Sequence, residues 1–213
     1  MSSKTVRLHR VASVLALLAV AACGNYASEE EAAQPGAPVA KPGPTQASAE
    51  EGAKPPVPGA PLDGVFVSSS RGVVDGDGSM QRPFKTLDAA IAKAETNGKR
   101  VLACAETYGE QLALRSGVSV YGYFSCDGGA FVLAADKRAR VEAPTSPALV
   151  AEAIALPTRV EGFDVIAPDG SEASPSSIAA RIADSHGLTL GKGSLRAGRG
   201  KDGADGVEPA QTA

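Results

Sequence analysis

The thiol of Cys23 stands at the end of a basic and then apolar opening: Lys4, Arg7 and Arg10, followed by an apolar stretch from Val11 to Ala22. That stretch is too short to cross a bilayer as a helix, and a charged start before a short apolar run is the layout of a secretory signal. The small residues Val20-Ala21-Ala22 stand directly before this thiol. The chain has three cysteines, so Cys104 and Cys126 remain as an even pair. Outside the cytoplasm such a pair is expected to form a structural disulfide. A zinc-type site is a poor fit, because His9 leaves with the signal and His186 lies far along the chain.

Asp75, Asp77 and Ser79 form part of a calcium-loop pattern and are the weak metal candidates of the chain. The full spacing is missing, since Thr86 occupies the place of the bidentate glutamate. Asp and Ser in a Gly-rich turn bond their own backbone, and that is the favoured reading. His186, in Asp184-Ser185-His186-Gly187, has the type of a triad member. A turn explains it more simply, because no nucleophile elbow is present.

The elements that would position these groups follow from composition. Gly24 to Pro61 is rich in Ala, Pro, Glu and Gly with almost no large apolar residues, so it is expected to remain a disordered tether. Val65-Phe66-Val67 opens the folded region as a short strand. Thr86 then caps a helix whose Leu87, Ala90, Ile91 and Ala94 share one face and which stops at Gly98. Short β runs follow at 101–104, 118–121, 131–133, 140–143, 163–166 and 188–190. Val118, Val141, Val165 and Leu190 recur at intervals that suit stacked β-coils, with Cys104 and Cys126 on adjacent coils. Gly200, Gly203 and Gly206 mark a flexible Gly-rich tail too short for a collagen helix. The formal net charge is −3, and loss of Lys4, Arg7 and Arg10 makes the remainder more acidic. Nucleic acid is therefore excluded as a general partner.

Two resemblances attach to these residues. Val20-Ala21-Ala22-Cys23 resembles a bacterial lipobox, which implies a lipoprotein held in the cell envelope through a lipidated Cys23. Gly24 is not the aspartate associated with inner-membrane retention, so the expected residence is the outer membrane, on its periplasmic or surface face. Val65-Phe66-Val67-Ser68, the Asp-Gly-Asp-Gly-Ser loop, Pro83-Phe84-Lys85-Thr86-Leu87, Ala105-Glu106-Thr107-Tyr108 and Val120-Tyr121-Gly122-Tyr123-Phe124 resemble the opening of bacterial right-handed parallel β-helix proteins of the pectate-lyase-like superfamily, among them a domain of unknown function.

The resemblance implies a mainly β fold: a short right-handed parallel β-helix whose N-terminal end is covered by a capping α-helix. The expected layout is a signal at 1–22, a lipidated tether at 23–61, the β-helix domain at 62–198 and the tail at 199–213. The expected function is structural, adhesive or glycan- or protein-binding display in the envelope, with no cofactor. The alternative is a Ca-dependent polysaccharide lyase or hydrolase. For that alternative Asp164, Asp169 and Asp184 are the candidate carboxylates, and Arg159, Arg181 or Lys192 the candidate bases. Solvent-facing charge on the outside of the fold is the favoured reading of all six. Calcium needs six to eight oxygen ligands, and no spacing singles these carboxylates out. Fold analogy alone does not supply an enzyme.

Overall fold

The computed structural model describes residues 43–172, 175–203 and 206. A short helix, α1 (Gln46–Gly52), precedes strand β1 (Val65–Val67) and helix α2 (Leu87–Asn97). Thereafter the chain is mainly β. It runs through β2 (Val101–Cys104), β3 (Thr107–Tyr108) and β4 (Leu112–Ala113), then β5 (Val120–Ser125), β6 (Val132–Leu133), β7 (Ala139–Glu142) and β8 (Leu149–Glu152). It ends with β9 (Thr158–Glu161), β10 (Phe163–Ile166), β11 (Ala180–Ala183), β12 (Leu188–Gly191) and β13 (Ser194–Arg196).

These strands form three sheets that the chain visits in a fixed order. The first has the order β1-β2-β5-β9-β12, the second β3-β7-β10-β13 and the third β4-β8-β11. Every pairing is parallel except the β5–β6 hairpin, which adds β6 to the first sheet. Register stacks like on like. Val65, Val101, Val120, Val160 and Leu190 form one column in the first sheet. Tyr108, Val141, Val165 and Leu195 form one in the second, and Leu112, Leu149 and Ala180 one in the third. The earlier members of each column are fully or nearly fully buried in one apolar cluster. Each such Val or Leu contributes about 1.5–3 kcal/mol by burial. The alternating burial of Ala139–Glu142 reflects side chains that point in turn to this interior and to solvent.

Helix α2 closes one end of that interior. Thr86 accepts from the Ala89 N–H, and Gly98 ends the helix in the left-handed region at φ 62°. Leu87, Ala90, Ile91 and Ala94 are buried in the same cluster as the strand columns, and the helix packs on β1, β2 and β4. The sequence shows no sign that Glu110, in the loop between β3 and β4, supplies the second cap. Its carboxylate accepts the Leu87 N–H at 2.8 Å and the Asp88 N–H at 3.1 Å. These are two of the donors that a helix start leaves without an internal partner.

A second apolar cluster covers the outside of the first sheet: Phe66, Leu102, Cys104, Tyr121, Tyr123, Phe124 and Phe131, with Leu62, Met80 and Leu133 against it. This explains why β2 and β5 are buried on both faces instead of alternating.

Several expectations change. The tether assigned to 23–61 is ordered from residue 43 onward as a strap along the first sheet. Thr45 and Ser48 form a reciprocal capping box at the start of α1. Ala49 is small enough to be buried near Gly117, and the Gly52 carbonyl accepts from the Tyr121 hydroxyl at 2.9 Å. Arg159 Nε donates to the Ala53 carbonyl, and Arg100 donates to the Lys54 and Glu51 carbonyls. A Pro-rich composition therefore does not prevent docking where cationic and phenolic side chains satisfy the strap's carbonyls.

The regular spacing of Val118, Val141, Val165 and Leu190 is not one structural column. Val141 and Val165 pair in the second sheet, whereas Leu190 pairs with Val160 in the first. Turns of unequal length carry the chain round. The run at 131–133 is a hairpin partner of β5 and not a step of the repeat. The tail boundary also moves. The Arg199 N–H donates to Asp169 at 2.7 Å and the Lys201 N–H to the Pro175 carbonyl at 2.8 Å, which ties 199–201 to the loop between β10 and β11.

Candidate functional site

Cys23 lies outside the described residues. Cys104 and Cys126 are joined by a disulfide. Cys104 ends β2, fully buried, and Cys126 follows β5, the next strand of the same sheet, so the bond ties two neighbouring passes of the chain.

Beside the partly exposed Cys126 is a hollow of about 230 Å³, lined by Ser70, Arg71, Glu106, Phe124, Asp127 and Lys137 among others. Glu106 is its most strongly held group. Its carboxylate accepts from the hydroxyls of Ser68 (3.1 Å), Ser69 (2.9 Å) and Ser70 (2.7 Å), and from the Ser70 N–H (3.1 Å). Burial alone pushes the Glu106 carboxyl up, but the Ser70, Ser69 and Ser68 bonds outweigh it and hold the group below the usual carboxylate range. A carboxylate so saturated with donors is a weak base, and among the described residues no imidazole bonds the three hydroxyls that donate to it. His186 is on the exposed turn between β11 and β12. Across the hollow Arg71 Nη1 donates to the Cys126 carbonyl at 3.4 Å, and Lys137 pairs with Asp127 at 3.2 Å.

The lowered Glu106 value sets a pH dependence. A carboxyl held below its unfolded value of about 4.3 contributes stability that is complete above that value and is lost as pH falls through the folded value. The melting temperature of the wild-type protein should therefore exceed that of Glu106→Gln at neutral pH. The gap should close in thermal melts run progressively below pH 4.3. A gap that stays constant with pH would show that the serine cage does not favour the ionised form.

A second charged cluster sits on the first sheet. Glu161 on β9 follows Phe66, Leu102 and Tyr121 in the outward column and is 5% exposed. Arg159 and Lys192 each approach it at 3.0 Å, and the Tyr123 hydroxyl donates to it at 3.5 Å. Lys192 Nζ also lies 5.4 Å from the centre of the Tyr123 ring. Sequence reading missed Glu161 because Thr158–Glu161 reads as a run with solvent-facing charges. The burial comes from the aromatic neighbours one pass earlier.

The residues singled out for calcium or lyase chemistry do not converge. Asp75 pairs with Arg82 at 3.1 Å, and Asp77 accepts the Ser79 N–H at 2.8 Å. Asp164 on β10 accepts from Ser194 and pairs with Arg138, while Asp169 accepts from the Arg199 backbone. Asp184 is on the exposed turn after β11. Arg159 and Lys192 share Glu161, and Arg181 pairs with Glu152 on the third sheet. Among the described residues no three His, Cys, Asp or Glu side chains gather as a metal site.

Compared with protein-family models, with curated proteins and with solved structures, the chain matches none.

Proposed function

We propose that this chain is an exported, lipid-anchored cell-envelope protein that displays a small right-handed parallel β-helix as a structural, adhesive or glycan- or protein-binding module. The observation that carries the anchoring half is the thiol of Cys23 behind Val20-Ala21-Ala22 and the short apolar stretch. An acyl chain adds about 0.8 kcal/mol per buried methylene, so more than one chain on Cys23 holds a protein durably at a membrane. The Cys104–Cys126 disulfide is consistent with an oxidising compartment.

The β-helix half is supported by the fixed order in which the chain visits three parallel sheets and by the stacked columns of inward Val, Leu and Tyr. Right-handed winding follows from the general handedness of parallel crossovers. The strap from residue 43 to β1 gives the anchor a firm point of attachment, because Arg100, Tyr121 and Arg159 hold its carbonyls. Display suits the chemistry: the carboxylates of Glu106 and Glu161 are each held by several neighbouring donors.

The reading is tested by Cys23→Ser in cells. The variant is expected to leave the membrane pellet while keeping the fold. Retention in the membrane fraction with detergent-dependent release would overturn the lipoprotein assignment.

A further inference from the structure

The two ends of the β winding are unlike. At the first, α2 covers the interior. At the other, no strand or helix among the described residues lies on the outer edges of β11, β12 and β13. The side chains there occupy interior positions. Ile182 stacks on Ala151, Leu190 on Val160 and Leu195 on Val165, all three buried. Yet Ile182 and Leu195 are 48% exposed and Leu190 is 38% exposed. A hollow of about 210 Å³ opens among Leu149, Val160, Phe163, Val165, Leu190 and Leu195.

Exposed strand edges are commonly blunted by Pro or by an inward-pointing charge. Ala180–Ala183, Leu188–Gly191 and Ser194–Arg196 contain neither: they hold no proline, and the inward positions are Ala, Ile, Leu, Leu and Leu. Two of the charges near this end have partners one pass back, Arg181 on Glu152 and Lys192 on Glu161.

We propose that this open end is the contact face of a twofold dimer of this chain, in which β12 pairs antiparallel with β12 of a second copy and Asp184 of each copy faces Lys192 of the other. A surface that offers three edges satisfies all three together, and the same end of a second copy is such a surface, whereas the other end of this winding is closed by α2. End-to-end association of identical copies therefore joins like ends and stops at two.

Charge selects the axis. A twofold axis through the middle of β12 exchanges the two corners that flank it. One corner carries Asp184 (φ 48°) and the other Lys192 (φ 50°), both held in left-handed turns. Opposite charges then meet at both corners. A pairing centred on Thr189 also places Leu188 opposite Leu190, with both on the inner face, sets Lys192 opposite His186, two positions from Asp184 in the same turn, and leaves β11 facing β13 of the second copy. Lys192 Nζ bonds Glu161 with one of its three donors and is 60% exposed, so it retains the reach to face Asp184.

The test uses the full chain carrying Cys23→Ser, in sedimentation velocity at increasing concentration. A monomer–dimer equilibrium is expected. Leu190→Asp with Leu195→Asp should abolish the dimer and keep a cooperative melt, since both side chains are already half in water. Asp184→Lys alone and Lys192→Asp alone each set like charges at both corners and should weaken the dimer about tenfold. A mixture of those two variants restores opposite charges at both corners and should dimerise as tightly as the parent. The mixture does not depend on how the leucine variant folds. A parent that stays monomeric would overturn the proposal, as would a dimer that survives the paired leucine substitutions or single charge variants that the mixture does not rescue.

Discussion

Loss of the Cys104–Cys126 disulfide is expected to lower the unfolding free energy by about 2–4 kcal/mol. The bond closes a 22-residue separation, and the cross-link acts mainly by removing conformations from the unfolded chain. In the folded chain β2 and β5 are already neighbours, so breaking the bond relaxes little there. Replacing both cysteines by alanine avoids leaving a buried thiol at Cys104, which packs with Leu102, Tyr121 and Phe124 in the outer cluster. Each 1 kcal/mol shifts the melting temperature of a domain of this size by about 2–4 °C or somewhat more. Thermal melts of the oxidised, reduced and double-alanine proteins measure the effect. Identical curves, or two free thiols by alkylation mass spectrometry, would remove the staple from the account.

Tyr108→Ala is expected to cost about 3–5 kcal/mol, the largest single loss in the interior. Tyr108 lies on β3 in the second sheet, 1% exposed, and its hydroxyl crosses the interior to donate toward the carbonyls of Val67 (3.2 Å) and Cys104 (3.1 Å) on the first sheet. Burial, with the charges of Glu106 and Glu110, pushes the phenol well above its ordinary value, so it remains a donor throughout the range in which the protein is folded. Tyr108→Phe keeps the ring and removes only the hydroxyl, for about 1 kcal/mol. Chemical denaturation of both variants separates the two contributions. Equal losses for Phe and Ala would mean that the ring volume matters little and that the interior is packed differently.

The sequence was most legible where one residue decides a local structure. Thr86, the face of Leu87, Ala90, Ile91 and Ala94, and Gly98 define α2 by capping and periodicity alone, and its observed range begins and ends at those residues. Val65–Val67, Val101–Cys104 and Phe163–Ile166 are readable as apolar β runs. The two-residue strands β3 and β4 are not, because Thr107–Tyr108 and Leu112–Ala113 acquire their state from pairing with β7 and β8. Val141 and Val165 sit 24 positions apart and do stack, but Val120 and Val160 stack across 40, so a single period fails wherever a turn carries an insertion. The β5–β6 hairpin is such an insertion.

The strap at 43–61 was illegible for a different reason. Its own residues have little apolar surface, and the groups that fix it (Arg100, Tyr121 and Arg159) lie on distant strands. The same holds for the charged clusters. Glu106 and Glu161 stand out only once the Ser68–Ser70 turn and the Tyr121–Tyr123 face have been placed against them. The proposed acylation of Cys23 is the opposite case, since that proposal rests on adjacent residues and needs no fold at all.

The measurement that bears most directly on the account is intact and peptide mass spectrometry of the mature protein extracted from membranes. The account predicts an N-terminal peptide that begins at Cys23 and carries acyl mass on that residue. A mature chain that begins elsewhere, or a Cys23 with no added lipid, would contradict the claim that this fold is held in the envelope by a lipid anchor.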